Sequence, residues 1–160
     1  HTFLLTSETT TDNIIEHHKK VNTTTIQIVD ALSGREYHKI REAIPNVQLV
    51  QVIHVLDEGS IKEAIEISEF VDAILLDSGN PNLPTKVLGG TGKTHNWDLS
   101  KKIREEISLP VFLAGGIKPE NIHLLSELNY TGIAVVSGIM NADNPTEALK
   151  KYNETINLIK

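Results

Sequence analysis

Six short apolar runs recur along this chain at nearly even spacing, and that regularity restricts its fold more than any other feature. They are Phe3–Thr6, Ile26–Val29, Leu49–Val55, Ala73–Leu76, Val111–Ala114 and Ile133–Val136, with starts 23, 23, 24, 38 and 22 residues apart. Most lack a polar face, as expected of strands buried on both sides. Helical stripes lie between them. Asp12 is placed to cap the first helix, with Ile14, Ile15, His18 and Val21 on one face. Tyr37, Ile40 and Ile44 form the second stripe, Ile61, Ala64, Ile65 and Ser68 the third, and Leu99, Ile103 and Ile107 the fourth. Pro119 and Pro145 each suit a first helical position and open the last two helices.

Strict alternation of this kind predicts an α/β fold, a parallel sheet with helices packed outside it. A period near 23 residues leaves only short connections, as in a (β/α) barrel. Six units also fit a doubly wound sheet, and the periodicity alone does not separate the two. With 160 residues, the chain is read as one domain spanning 1–160.

Fifteen basic against 21 acidic residues leave a net charge of −6, with no Arg/Lys cluster and few aromatics, so no nucleic-acid partner is expected. The apolar runs are too short to span a bilayer and no signal peptide is visible, which predicts a cytoplasmic protein without membrane association. Cysteine is absent, which removes disulfides, thiolate metal sites and cysteine nucleophiles from this stretch. The chain opens at His1 inside strand-like sequence, so a segment is expected upstream.

The interval of 38 marks about 15 extra residues after Asp77, almost all loop formers. Loops of that length in compact domains are usually lids or binding loops, and this one leaves the carboxyl end of a strand, where α/β sites lie. Asp77 itself ends the apolar run, a carboxylate carried to a strand tip. Gly115 and Gly116 follow the fifth run, and Ser137 and Gly138 the sixth. Backbone N–H groups in two such neighbouring turns predict a grip for a phosphate. The Gly89–Thr94 stretch is neither a P-loop, because Val87 stands where the first glycine is needed, nor a dinucleotide fingerprint, because His95 stands at the last. The seven histidines form no HExxH or i, i+4 pair, so neither a metal nor another cofactor is expected. His54 reads as a structural histidine, His95 as a ligand candidate in the loop, and Arg35 and Arg41 as solvated surface charges.

Together these motifs resemble the phosphoribosylanthranilate isomerase family of tryptophan biosynthesis over essentially the whole chain. Leu75-Leu76-Asp77 and then Gly89-Gly90-Thr91-Gly92-Lys93-Thr94 reaching Trp97 look like its LLD…GGTGKTFDW. Leu113 to Asn121 resembles its LAGGLNPEN, and Ile26-Gln27-Ile28 the start of its QLHG strand. The sequence departs from the family at Val29, at His95-Asn96 and at Ala134. The resemblance implies six of the eight units of a TIM-like barrel, with His1 at the third strand. It also implies an Amadori rearrangement of a small phosphorylated sugar-amine. Asp77 would be the general acid at the ribose ring oxygen, partly desolvated. Gly115, Gly116, Ser137 and Gly138 would hold the phosphate, with Gly90, Thr91, Gly92, Gln27 and His95 as further substrate contacts. The family's general base, a first-strand cysteine, and an arginine after its second strand lie outside the matched stretch. Two alternatives remain at this point: a non-catalytic phosphate-binding module, and a transferase like thiamine phosphate synthase, which Ala134 to Pro145 resembles. A six-unit sheet has open edges, so a homo-oligomer covering them is a further expectation.

Overall fold

Three residues out of four in the central strands are apolar and β-rich, and two kinds of packing consume them. The computed structural model describes residues 1–79 and 94–159. Its strands are β1 (Phe3–Thr6), β2 (Thr25–Ile28), β3 (Gln48–His54), β4 (Ala73–Asp77), β5 (Val111–Leu113) and β6 (Gly132–Ile133). The helices are α1 (Thr11–Val21), α2 (Gly34–Ala43), α3 (Gly59–Ser68), α4 (Trp97–Glu106), the single turn α5 (Ser137–Met140) and α6 (Pro145–Ile159). All strand pairs are parallel and their spatial order is the sequence order, β1 to β6.

That order separates the two architectures left open by the periodicity. Right-handed crossovers made always in one direction place every helix on the same side of the sheet. A doubly wound sheet reverses direction at a switch point, and no reversal occurs here. The sheet is six consecutive staves of a (β/α) barrel. Its outer face packs Leu4, Ile26, Ile28, Leu49, Ile53, Ile74, Leu76, Val111 and Leu113 against helix residues such as Ile14, Ile40, Ala64 and Ile103. The inner face is a smaller cluster of Val50, Val52, Ala73 and Leu75, flanked by Val29, Phe112 and Ala114. Among the described residues no strand covers the free edges of β1 and β6. Phe3 and Leu5 on β1 accordingly stay 49% and 60% exposed.

Several local expectations are corrected. Asp12 lies in the first turn of α1, because Thr10 takes the extended cap position and Thr11 bonds Glu36 on α2. In α3 the buried stripe is Ser60, Ala64 and Ile67, while Ile65 is 41% exposed. No α-helix opens at Pro119. The Asn121 side chain accepts from Lys118 N at 2.7 Å and donates to Gly116 O at 2.9 Å, which closes a turn there, and only a short 3-10 segment, Ile122–Leu125, follows. Arg41 is not a solvated charge: it pairs with Asp72 at 2.8 Å and reaches the carbonyls of Val47 and Phe70. Asp72 in turn accepts from Leu49 N at 2.7 Å, so this half-buried pair ties α2 to the amino ends of β3 and β4.

The outer core contains a buried polar bond between α2 and β3. Gln51, 1% exposed on β3, accepts from the Tyr37 hydroxyl at 2.5 Å, and its amide donates to Val52 O at 3.0 Å and, more weakly, to Asp30 O at 3.3 Å. Tyr37→Phe removes the donor while leaving the buried Gln51 oxygen in place, and an orphaned buried acceptor costs about 1–3 kcal/mol. Chemical denaturation should therefore show Tyr37→Phe destabilised by that amount with an unchanged m-value. A variant as stable as the parent would mean that the bond contributes nothing.

Candidate active site

Strand β4 is an interior stave, held by β3 over five residue pairs and by β5 over three. Its last residue is Asp77, whose carbonyl accepts from Val55 N at 2.9 Å, and the residue is only 5% exposed. The carboxylate faces a cavity of about 560 Å³ at the carboxyl end of the inner face, lined on the strand side by Gln27, Val52 and Leu75.

Across that cavity stand both glycine turns. Gly115 and Gly116 have φ of +85° and +63°, a region closed to most side chains. Space adds a second requirement at Gly115: a Cβ there would overlap the Ser78 hydroxyl and come within 3.0 Å of the Asp77 carboxylate. The turn is fixed from behind by the Asn121 bonds already described. Ser137 and Gly138 line the same cavity from the end of β6, with Lys118 bringing a cation to its rim. No acceptor is found among the described residues for the N–H groups of Gly115, Gly116, Ser137 and Gly138. Donors of that kind, a lysine and one buried carboxylate suit an anionic group at the turns and a reacting atom beside Asp77.

The structure thus brings together Asp77, Gln27, Gly115, Gly116, Ser137 and Gly138. His95 does not line that cavity, although it stands within electrostatic reach of Asp77. It lies just before α4, bonded to the Ser100 hydroxyl at 2.6 Å, and lines a separate cavity with Trp97, Leu124 and Leu128. Burial pushes its imidazole down to about 4, against the opposing pull of the Asp77 carboxylate, so the ring is neutral near pH 7. Gly90, Thr91 and Gly92 lie outside the described residues. His54 is in register with Asp77 on the neighbouring strand and is bonded through Nε2 to Val29 O at 3.2 Å, a structural role on that side of the ring.

Two functional positions went unread in the sequence. Asn121 was quoted only as part of a motif, although an Asn five residues after a glycine turn is well spaced to close it. Tyr152 lies on α6, where no local pattern signals a bond to a distant turn. It is 3% exposed, but its hydroxyl donates to Ile117 O at 2.9 Å and lies against Gly138.

Comparison with known proteins agrees with this geometry. Residues 6–142 match the family model described as N-(5'-phosphoribosyl)anthranilate (PRA) isomerase. An N-(5'-phosphoribosyl)anthranilate isomerase of Methanosarcina acetivorans is 37% identical over 71% of this chain and 51% of its own length. Isomerase 2 of Methanosarcina mazei is 30% identical over 81% of this chain and 57% of its own. The chain therefore spans between half and two thirds of those relatives. Among solved structures, the isomerase of Thermotoga maritima superposes with a TM-score of 0.76 at 22% identity, covering 97% of this chain and 72% of that one. A thiamine phosphate pyrophosphorylase of Pyrococcus furiosus reaches 0.60 at 17%, a likeness of fold. Six staves, an acid at the tip of the fourth and glycine turns after the fifth and sixth coincide with a family match over most of the chain, and the chain belongs to the N-(5'-phosphoribosyl)anthranilate isomerase family.

Proposed function

We propose that this chain supplies the acid and the phosphate-binding half of an isomerase site acting on N-(5'-phosphoribosyl)anthranilate in tryptophan biosynthesis. The observation that carries this reading is the single cavity shared by buried Asp77 and the two glycine turns. A related isomerase was solved with reduced 1-(o-carboxyphenylamino)-1-deoxyribulose 5-phosphate, a ligand with a phosphate at one end and the reacting carbons in its middle. Phosphate on the N–H groups of Gly115, Gly116, Ser137 and Gly138 brings the sugar over β4.

The rearrangement needs two proton transfers. Asp77, as the acid form, gives its proton to the ribose ring oxygen while the C1′–O4′ bond breaks and the nitrogen lone pair forms the Schiff base. A base then removes the proton from C2′, and the electrons move to give the enol-amine, which becomes the aminoketose. Asp77 lies beneath the sugar, shielded from water, where a carboxyl group hands over its proton without competition from solvent. The base is the cysteine that the family carries on its first strand, a residue type this chain does not contain. Gln27, on the inner face of β2, is available to a sugar hydroxyl. The reading places the protein in the cytoplasm, and no helix among the described residues is long and apolar enough to cross a membrane. The Thermotoga maritima isomerase has a dimeric form, so association with a second copy accords with the same reading.

In a protein that joins this chain to the family's first two units, Asp77→Asn should lower kcat by about 10²–10⁴, the share a positioned acid contributes, with KM little changed. Unaltered turnover would remove Asp77 from the chemistry. In the 160-residue chain, Gly115→Ala should weaken binding of inorganic phosphate, measured by titration of backbone amide resonances, because the methyl displaces Ser78 and crowds Asp77. Asp77→Asn should not weaken it, since that change removes a negative charge beside the anion. Phosphate affinity equal to the parent's in Gly115→Ala would count against the grip.

A further inference from the structure

The two glycine turns come from separate strands, and β5 pairs with β6 over only two residue pairs, so the sheet alone holds them loosely in register. A third element joins them. Helix α6 crosses behind both turns, and its Tyr152 is almost fully buried. The phenol oxygen donates to Ile117 O at 2.9 Å, the carbonyl directly after Gly116. That same oxygen occupies the place where a Cβ at Gly138 would stand, with the ring carbon Cζ 3.1 Å and Val135 Cγ1 3.2 Å from it. One hydroxyl is thus bonded to the first turn and in contact with the backbone of the second. The Lys151–Glu120 pair, at 2.7 Å, binds the same helix to the same turn, but both side chains are largely exposed and contribute little.

We infer that Tyr152 is a positioning residue for anion binding, its hydroxyl setting the distance between the Gly115–Gly116 turn and the Ser137–Gly138 turn. This rests on the reading of those turns as the phosphate grip. Glycine at 138 is then required by the phenol rather than by backbone conformation, since only Gly115 and Gly116 have positive φ among the described glycines. A tyrosine with a purely packing role would need its ring in place and would be indifferent to its oxygen.

The test uses the full 160-residue chain, labelled with nitrogen-15, and inorganic phosphate as probe, with thermal denaturation in parallel. The parent should show saturable amide shifts at Gly115, Gly116 and Gly138. Tyr152→Phe should keep those shifts but weaken the affinity about fivefold, near the effect of one hydrogen bond. Gly138→Ala should bind worse still, and should move the Gly116 and Ile117 amides even without phosphate, because the methyl displaces the phenol. The double variant Gly138→Ala with Tyr152→Phe should bind better than Gly138→Ala alone, though below the parent, because contacts near 3.1 Å remain. That recovery is a result no general loss of stability produces. Parent protein without saturable shifts at these glycines would defeat the grip reading itself. Parent binding retained, with Tyr152→Phe binding equally well or Gly138→Ala leaving Gly116 and Ile117 unmoved, would defeat the role of Tyr152 alone. Should Tyr152→Phe fail to fold, the Gly138→Ala amide shifts decide the question by themselves.

Discussion

The acid at the carboxyl face of this sheet takes its position from β4, a strand paired on both sides and buried on both faces. Parallel pairing with β3 and β5 fixes the axial level of each residue, and the side-chain period of two fixes its face. A slip of one residue would turn Ile74 and Leu76 from the helices to the interior and Asp77 from the cavity to the helices. The energetic cost of moving those side chains holds the carboxylate where it is. The apolar run Ala73–Leu76 is thus what delivers an acid to the site.

Burying a carboxylate there has a steric consequence on the next strand. The chain leaving β5 passes so close to Asp77 and Ser78 that position 115 has no room for a side chain. Its positive φ, and that of Gly116, turn the backbone over beside the cavity that both glycines line. Close approach and the unusual conformation are one arrangement seen from two sides. Asn121 supports it, taking up Lys118 N–H and Gly116 C=O.

The sequence made the strand positions legible because an alternation of period 23 survives local variation, and because β-rich runs such as Leu49–Val55 leave no helical option. Asp77 and both glycine turns were legible too, since each stands at or near a strand end and strand ends in this architecture share one face, whereas Gln27 came only from the family resemblance. What the sequence could not convey was strand order: a barrel arc and a doubly wound sheet have the same period and differ only in the side on which each helix returns. Side-chain bonds between distant elements were equally invisible. Arg41 and Asp72 are 31 residues apart and Tyr152 and Ile117 are 35 apart. No local pattern distinguishes a buried pair from two solvated charges, or a bonded phenol from a packed one. Pro119 misled for a related reason, because the helix-opening proline is overridden by an asparagine side chain that closes the turn first.

The division of labour among the staves follows from the same geometry. The proposed acid and both proposed phosphate turns lie on three consecutive strands, β4 to β6, and are braced by α6, the last helix of the chain. Each bond that shapes them, from Asn121 to Gly116 and from Tyr152 to Ile117, is made within this stretch. The binding half of the site is therefore assembled by local neighbours in the sheet and does not depend on contacts across the barrel. Proton abstraction, in the proposed reaction, is different, because the base it calls for is carried by the family's first strand and not by β4 to β6. Under the proposed reading the phosphate grip is therefore complete within β4 to β6, whereas the proposed rearrangement needs a residue from outside them.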